Sequence, residues 1–215
     1  MRQAPLSHIF SALALTAPLL LASPAHARPV EDSGRIGFFA GARYIPHGHF
    51  IEQVNHSADG DKVTSEVPVG FAGLLSFGFR ALPTLEVSLE FGLLHDHFQL
   101  QSGNLQIYTV PLNATVRWAP LDTKLYPYLG ACGGYMLSFF LYNEKESEGP
   151  TSGFGGLAGV GWDFMPSWSL MVEDRYVFSF PTVPKLGELN AGGNILWLGL
   201  SYQFEPEAPI APHGR

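Results

Sequence analysis

The sequence predicts an all-β chain: one transmembrane up-and-down antiparallel β-barrel of 8 strands. Three observations predict it. Eight stretches after residue 34 alternate apolar with small or charged residues, and most are about 10 to 14 residues long, long enough for a tilted strand to cross a bilayer. Such alternation gives each strand two unlike faces. The connections alternate between long polar ones and tight turns, which puts every long one at the same end of a meander. An export signal precedes them all.

That signal is Met1–Ala27. Arg2 supplies a charged start, Ile9 to Ala22 an apolar run containing Pro18, and Ala25-His26-Ala27 a small-x-small cleavage site. The mature chain is expected to begin at Arg28. The apolar run is too short to anchor the chain as a membrane helix, and no cysteine adjoins the cleavage point to carry a lipid.

A polar lead-in, 28–34, precedes the first strand, Arg35–Pro46. A long polar segment follows, His47 to Glu66. The second strand, Val67–Arg80, ends in the tight turn Ala81-Leu82-Pro83-Thr84. The third, Leu85–Asp96, leads through Ser102-Gly103-Asn104 into the fourth, Leu105–Ala119, closed by Pro120-Leu121-Asp122-Thr123. The fifth, Leu125–Phe140, is followed by a loop, Leu141 to Ser152, carrying Glu144, Glu146 and Glu148. The sixth, Gly153–Phe164, turns at Met165-Pro166-Ser167 into the seventh, Trp168–Ser179. A loop with two prolines, Phe180–Asn190, precedes the eighth, Ala191–Phe204. The barrel domain thus runs 28–204, and the proline-bearing tail 205–215 is expected to be extended, disordered and periplasmic. With an even strand count both ends of the barrel fall on the periplasmic side.

In the third strand Leu85, Val87, Leu89, Phe91 and Leu93 share one face, and Glu86, Ser88, Glu90 and Gly92 the other. The fourth sets Tyr108, Val110, Leu112, Ala114, Val116 and Trp118 against Asn113, Thr115 and Arg117. The eighth sets Leu196, Leu198, Leu200, Tyr202 and Phe204 against Gly199, Ser201 and Gln203. A water-soluble barrel would bury the apolar face, and a membrane barrel turns it outward. The polar face is rich in glycine, which suits a cramped lumen. Its charges also balance: Arg43, Arg80, Arg117 and Arg175 against Glu86, Glu90, Asp163 and Glu173. Buried charges need partners, so these eight are expected to form a lumen network. Trp118, Trp162 and Trp168 fall at the turn end, and with Tyr202 and Phe204 they are expected to form an interfacial aromatic girdle.

Three residues fit this scheme poorly. Asp174 falls on the lipid face near mid-strand, Pro111 removes a ladder hydrogen bond in a sheet without edges, and Trp197 points inward. A β-bulge would accommodate either of the first two.

At this point the chain resembles the OmpA/OmpX-like eight-stranded outer-membrane β-barrel domain family. Pro127-Tyr128-Leu129-Gly130-Ala131-Cys132-Gly133-Gly134 carries the likeness, with Leu170-Met171-Val172-Glu173-Asp174-Arg175-Tyr176 and the terminal Phe204. The resemblance covers nearly all of the mature chain. It implies a monomer with a side-chain-filled interior and surface-exposed loops. A Phe204 terminus after an alternating apolar run also looks like the strand signal read by the barrel assembly machinery.

The net charge of −7 argues against nucleic acid as a partner. Cys132 is the only cysteine, so no intrachain disulfide can form and stability must come from the fold. The lumen charges admit a narrow ion path, but eight strands leave an interior just wide enough for side chains, which favours a structural network. His47, His49 and His56 lie on the first long connection. His95 and His97 share a face about 7 Å apart, yet no carboxylate cluster completes a metal site with them. His95-Asp96-His97 invites a hydrolytic reading, but no serine shares their face at the rim. Glu144 to Glu148 could hold divalent cations that bridge lipopolysaccharide, though such runs are commonly just solvated.

The expectation is an integral outer-membrane barrel, not an enzyme, without cofactor or metal. Outer-membrane lipids and lipopolysaccharide surround its wall. It contributes to envelope structure or surface interaction through its extracellular loops. A small porin-like channel is the alternative, and a lipid or peptide hydrolase at the rim is a third class.

Overall fold

The computed structural model describes residues 33–44, 69–100, 103–121, 123–142, 145–180, 182–183, 187–188 and 192–204. The export signal, the polar segment with His47, His49 and His56, the tail 205–215 and the side chains of Glu144, Glu146 and Glu148 lie outside the described residues.

Eight long strands close a barrel. They are β1 (Gly34–Tyr44), β2 (Val69–Leu82), β3 (Leu85–Leu100), β4 (Gly103–Trp118), β5 (Leu125–Tyr142), β6 (Lys145–Met165), β7 (Trp168–Ser179) and β10 (Gly193–Phe204). Each pairs antiparallel with its sequence neighbour, and β10 closes on β1 from Gly34↔Phe204 to Tyr44↔Asn194. The short pair β8 (Thr182–Val183) and β9 (Gly187–Glu188) sits within the β7–β10 connection. Closure removes the edges that a membrane-spanning sheet cannot leave unpaired.

The side chains alternate as a membrane barrel requires. On β3, Val87, Leu89 and Phe91 are exposed while Glu86, Ser88 and Glu90 are buried; on β10, Leu196, Leu198 and Leu200 are exposed while Trp197 and Ser201 are buried. Leu89, Leu112, Leu129 and Leu198 are exposed on the outer wall, and Arg35, Arg43, Arg80, Arg117 and Arg175 are buried inside. Glycine on the inner face makes room for rings from the neighbouring strand. A Cβ on Gly159 would lie 2.4 Å from Tyr128 Cζ, and one on Gly161 would lie 2.3 Å from Tyr126 Cζ.

Some glycines are fixed by backbone instead. A Cβ on Gly134 would lie 2.1 Å from the Leu112 carbonyl oxygen, whereas one on Gly73 meets nothing within 4 Å. Gly134→Ala is therefore expected to lower stability by about 1–3 kcal/mol through overpacking, and Gly73→Ala to leave it unchanged. Urea unfolding of the two variants in lipid vesicles checks this; equal responses would mean that the wall yields at Gly134.

The structure corrects two expectations. First, two of the polar loops are strand. Pairing runs unbroken along β5 and β6 from Leu125↔Trp162 to Tyr142↔Lys145, and along the upper part of β3 and β4 from Leu94↔Thr109 to Leu100↔Gly103. The supposed loop from Leu141 to Ser152 is mostly hairpin, and Gly103-Asn104 begins β4. Polar composition there marks strands that have left the apolar band, not a loss of pairing. Because β2 joins β3 only from Phe71↔His95 and β7 joins β6 only from Gly153↔Ser179, β3–β6 project past their neighbours as a four-stranded sheet.

Second, neither Pro111 nor Asp174 sits at a bulge. The β3–β4 pairs pass from Phe91↔Leu112 to Leu94↔Thr109 in constant register, leaving Gly92 and Leu93 unpaired opposite Pro111 and Val110. Proline offers no N–H, and the ladder opens locally without slipping. The irregularities fall between Arg80 and Leu82 and between Asp163 and Met165, beside tight turns.

Candidate functional site: the lumen charge network

The inward rows of β3, β4 and β7 deliver carboxylates and guanidinium groups at the same level of the lumen. Glu90 (β3), Arg117 (β4), Glu173 and Arg175 (both β7) form a closed ring of alternating charge. Arg117 Nη2 reaches Glu90 Oε1 at 2.6 Å and Arg117 Nε reaches Glu173 Oε2 at 2.8 Å. Arg175 Nη1 reaches Glu90 Oε2 at 2.6 Å and Arg175 Nη2 reaches Glu173 Oε1 at 2.5 Å. In the barrel order β3 lies opposite β7, so the ring bridges the lumen from wall to wall.

Neutral side chains complete it. Thr115 Oγ1 donates to Glu90 Oε2 at 2.8 Å, and Tyr128 OH to Glu173 Oε2 at 3.2 Å. Ser88 Oγ accepts from Arg117 Nη1 at 2.9 Å. Both carboxylates have 0% side-chain exposure, so these bonds replace the water they lack. Toward the rim that holds the tight turns, Arg35 Nη1 pairs with Glu86 Oε2 at 2.7 Å, and Arg117 Nη1 stands 3.5 Å from Glu86 Oε1. Arg35 also donates to Ser201. Arg80 is buried at this level, lining a cavity with Arg35, Glu86, Tyr126 and Tyr128. Arg43 stands apart near the projecting end, paired with Asp96.

Of the eight charges expected in a lumen network, the structure brings Glu86, Glu90, Arg117, Glu173 and Arg175 into one cluster, with Arg80 beside it. Arg43 takes a separate partner. Asp163 is half-buried at the lower rim, where its Oδ1 accepts from Ser169 Oγ at 2.5 Å; it stands opposite Ser169 on the β6–β7 ladder, below Glu173 and Arg175. Sequence reasoning missed Arg35, Ser88, Thr115, Tyr128 and Asp96 as partners. All share the inward parity of residues already assigned there, which was the available signal.

Above the ring the lumen turns apolar. Leu74, Leu94, Met136, Val177, Ile195 and Trp197 line a second cavity with Arg43 and Asn113. Trp197 is buried, as its parity required.

Asp96 faces inward, while His95 and His97 face outward. His95 stacks on Tyr108 with ring centroids 4.5 Å apart. The three residues therefore do not converge, and a hydrolytic site built from them has no geometry. Among the described residues no three His, Cys, Asp or Glu side chains converge on a metal position. Trp118, Trp162, Trp168 and Phe204 are exposed on the outer wall beside the turn ends. Tyr202 is half-buried, its ring 5.1 Å from Trp168 and 5.0 Å from Phe204.

No family model and no curated protein matches the chain. Solved structures do. Neisserial surface protein A (NspA) is 17% identical, with a TM-score of 0.53, over 80% of this chain and 97% of that one. The outer membrane protein OprG from Pseudomonas aeruginosa is 13% identical, with a TM-score of 0.55, over 84% of this chain and 99% of that one. The inward charges, the outward apolar rows and these likenesses agree: the chain has the fold of the small eight-stranded outer-membrane β-barrels, in keeping with its OmpA/OmpX-like resemblance.

Proposed function

We propose that the protein resides in the bacterial outer membrane as a non-enzymatic barrel that supports the envelope and offers its projecting sheet as a contact surface. The ring of Glu90, Arg117, Glu173 and Arg175 is the observation that carries this reading. It crosses the lumen in a fully buried layer, with one cavity above and another below. A lumen filled in this way favours a structural role over conduction. The projecting parts of β3–β6 are ladder-paired to Leu100↔Gly103 and Tyr142↔Lys145, which makes a stiffer display surface than a free loop.

The test shortens the projection. A variant joining β5 to β6 at the Met136↔Thr151 pair through an Asn-Gly turn keeps the wall below it. Its folding is checked by gel mobility with and without boiling. Strains carrying it are expected to lose adhesion to matrix-coated surfaces, with dye permeability of the envelope unchanged. Unchanged adhesion would remove the surface role. Current steps from the intact protein in planar bilayers would favour the channel instead.

A further inference from the structure

The outer wall carries a charge where hydrocarbon should meet it. Asp174 projects outward from β7, exposed, in a row with Trp168, Leu170, Val172, Tyr176 and Phe178. It stands six residues along the strand from Trp168, roughly 15 Å higher for a tilted strand in an apolar band about 25 Å tall. Its side chain is too short to reach either interface from there. No described residue hydrogen-bonds or ion-pairs with it. Its cross-strand neighbours are Ala158 and Leu196. An ionisable group at this depth calls for a partner.

The wall beside it is shaped for close approach. Ala158 faces Asp174, Gly156 lies two residues along β6, and Ala131 faces Gly156. Gly133 follows on β5 and Ala114 faces it on β4. These residues make a shallow furrow across β4–β6 that ends at the carboxylate. Small residues of this kind let another backbone come near.

We propose that this wall docks a membrane-embedded segment of another protein, one that presents a lysine or arginine at the depth of Asp174. Charge complementarity selects that occupant. Among the described residues the outward rows carry no lysine or arginine in the apolar band. A second copy of this chain would therefore add a carboxylate without a cation. The inference is independent of the projecting sheet.

The intact barrel in phosphatidylcholine vesicles tests it. The probes are two dansyl-labelled leucine–alanine helices of ~20 residues, one with a single central lysine and one without. Energy transfer from the barrel tryptophans reports association. The lysine helix is expected to bind about tenfold more tightly than its control, the gain of one intramembrane polar pair. D174N and A158L are each expected to reduce it to the control level, the first by removing the charge and the second by filling the furrow. Both lie on the outer wall, and heat-dependent gel mobility verifies their folding. Equal binding of the two helices, or lysine-dependent binding that survives D174N, would overturn the proposal. So would self-association of the barrels that D174N abolishes.

Discussion

Glu90→Ala is expected to cost about 3–5 kcal/mol of unfolding free energy, the usual cost of removing one partner from a buried charge pair. Glu90 takes a guanidinium nitrogen from Arg117 and another from Arg175, each at 2.6 Å. Its loss leaves both arginines with Glu173 as their shared acid inside the buried ring. Urea unfolding in lipid vesicles, followed by tryptophan fluorescence, reads the effect. Glu86→Ala should cost less, because Arg117 keeps both ring carboxylates and Arg35 keeps Ser201. Should Glu90→Ala unfold at the wild-type midpoint, the ring would not be holding the barrel together.

Leu89→Arg carries the second large effect. Leu89 is 63% exposed on the outer row of β3, four residues above the tight turn. In a bilayer that places it near mid-depth, where arginine on a barrel wall costs about 2–4 kcal/mol. Ala81→Arg, beside the turn, should cost no more than about 1 kcal/mol, because the headgroup region is within reach. Depth dependence is the point. A wall facing water would accept both changes alike, and equal stabilities in vesicles would show that hydrocarbon does not cover it.

Much of this was legible in the sequence because a strand has only two faces. Once Glu86 and Glu90 were set opposite Leu85 and Leu89, parity alone placed Arg117, Glu173 and Arg175 inside. What parity cannot supply is the partner across the lumen. The meeting of β3 and β4 with β7 depends on closure and strand tilt, which no local pattern encodes. Asp96 shows a second limit. Ending the third strand there hid that its side chain continues the inward row and meets Arg43, while its histidine neighbours turn outward. The projecting hairpins were missed for a related reason. Lys145 to Ser152 is polar in sequence and lacks the apolar alternation that marks a strand in the membrane band, yet its ladder pairing persists. Pro111 was correctly seen as costly to the ladder, and the gap it makes without a register shift is too small a perturbation to leave a sequence signature.

The ring also constrains how such a chain can enter a membrane. Two of its ion pairs are local, Arg117–Glu90 between neighbouring strands and Arg175–Glu173 along one strand. The other two, Arg117–Glu173 and Arg175–Glu90, form only once β3 and β4 face β7 across the lumen. A half-rolled sheet would have to draw each of these charges through oil with one partner instead of two. Insertion and closure must therefore advance together, and the same ion pairs that steady the finished cylinder penalise every open intermediate on the way to it.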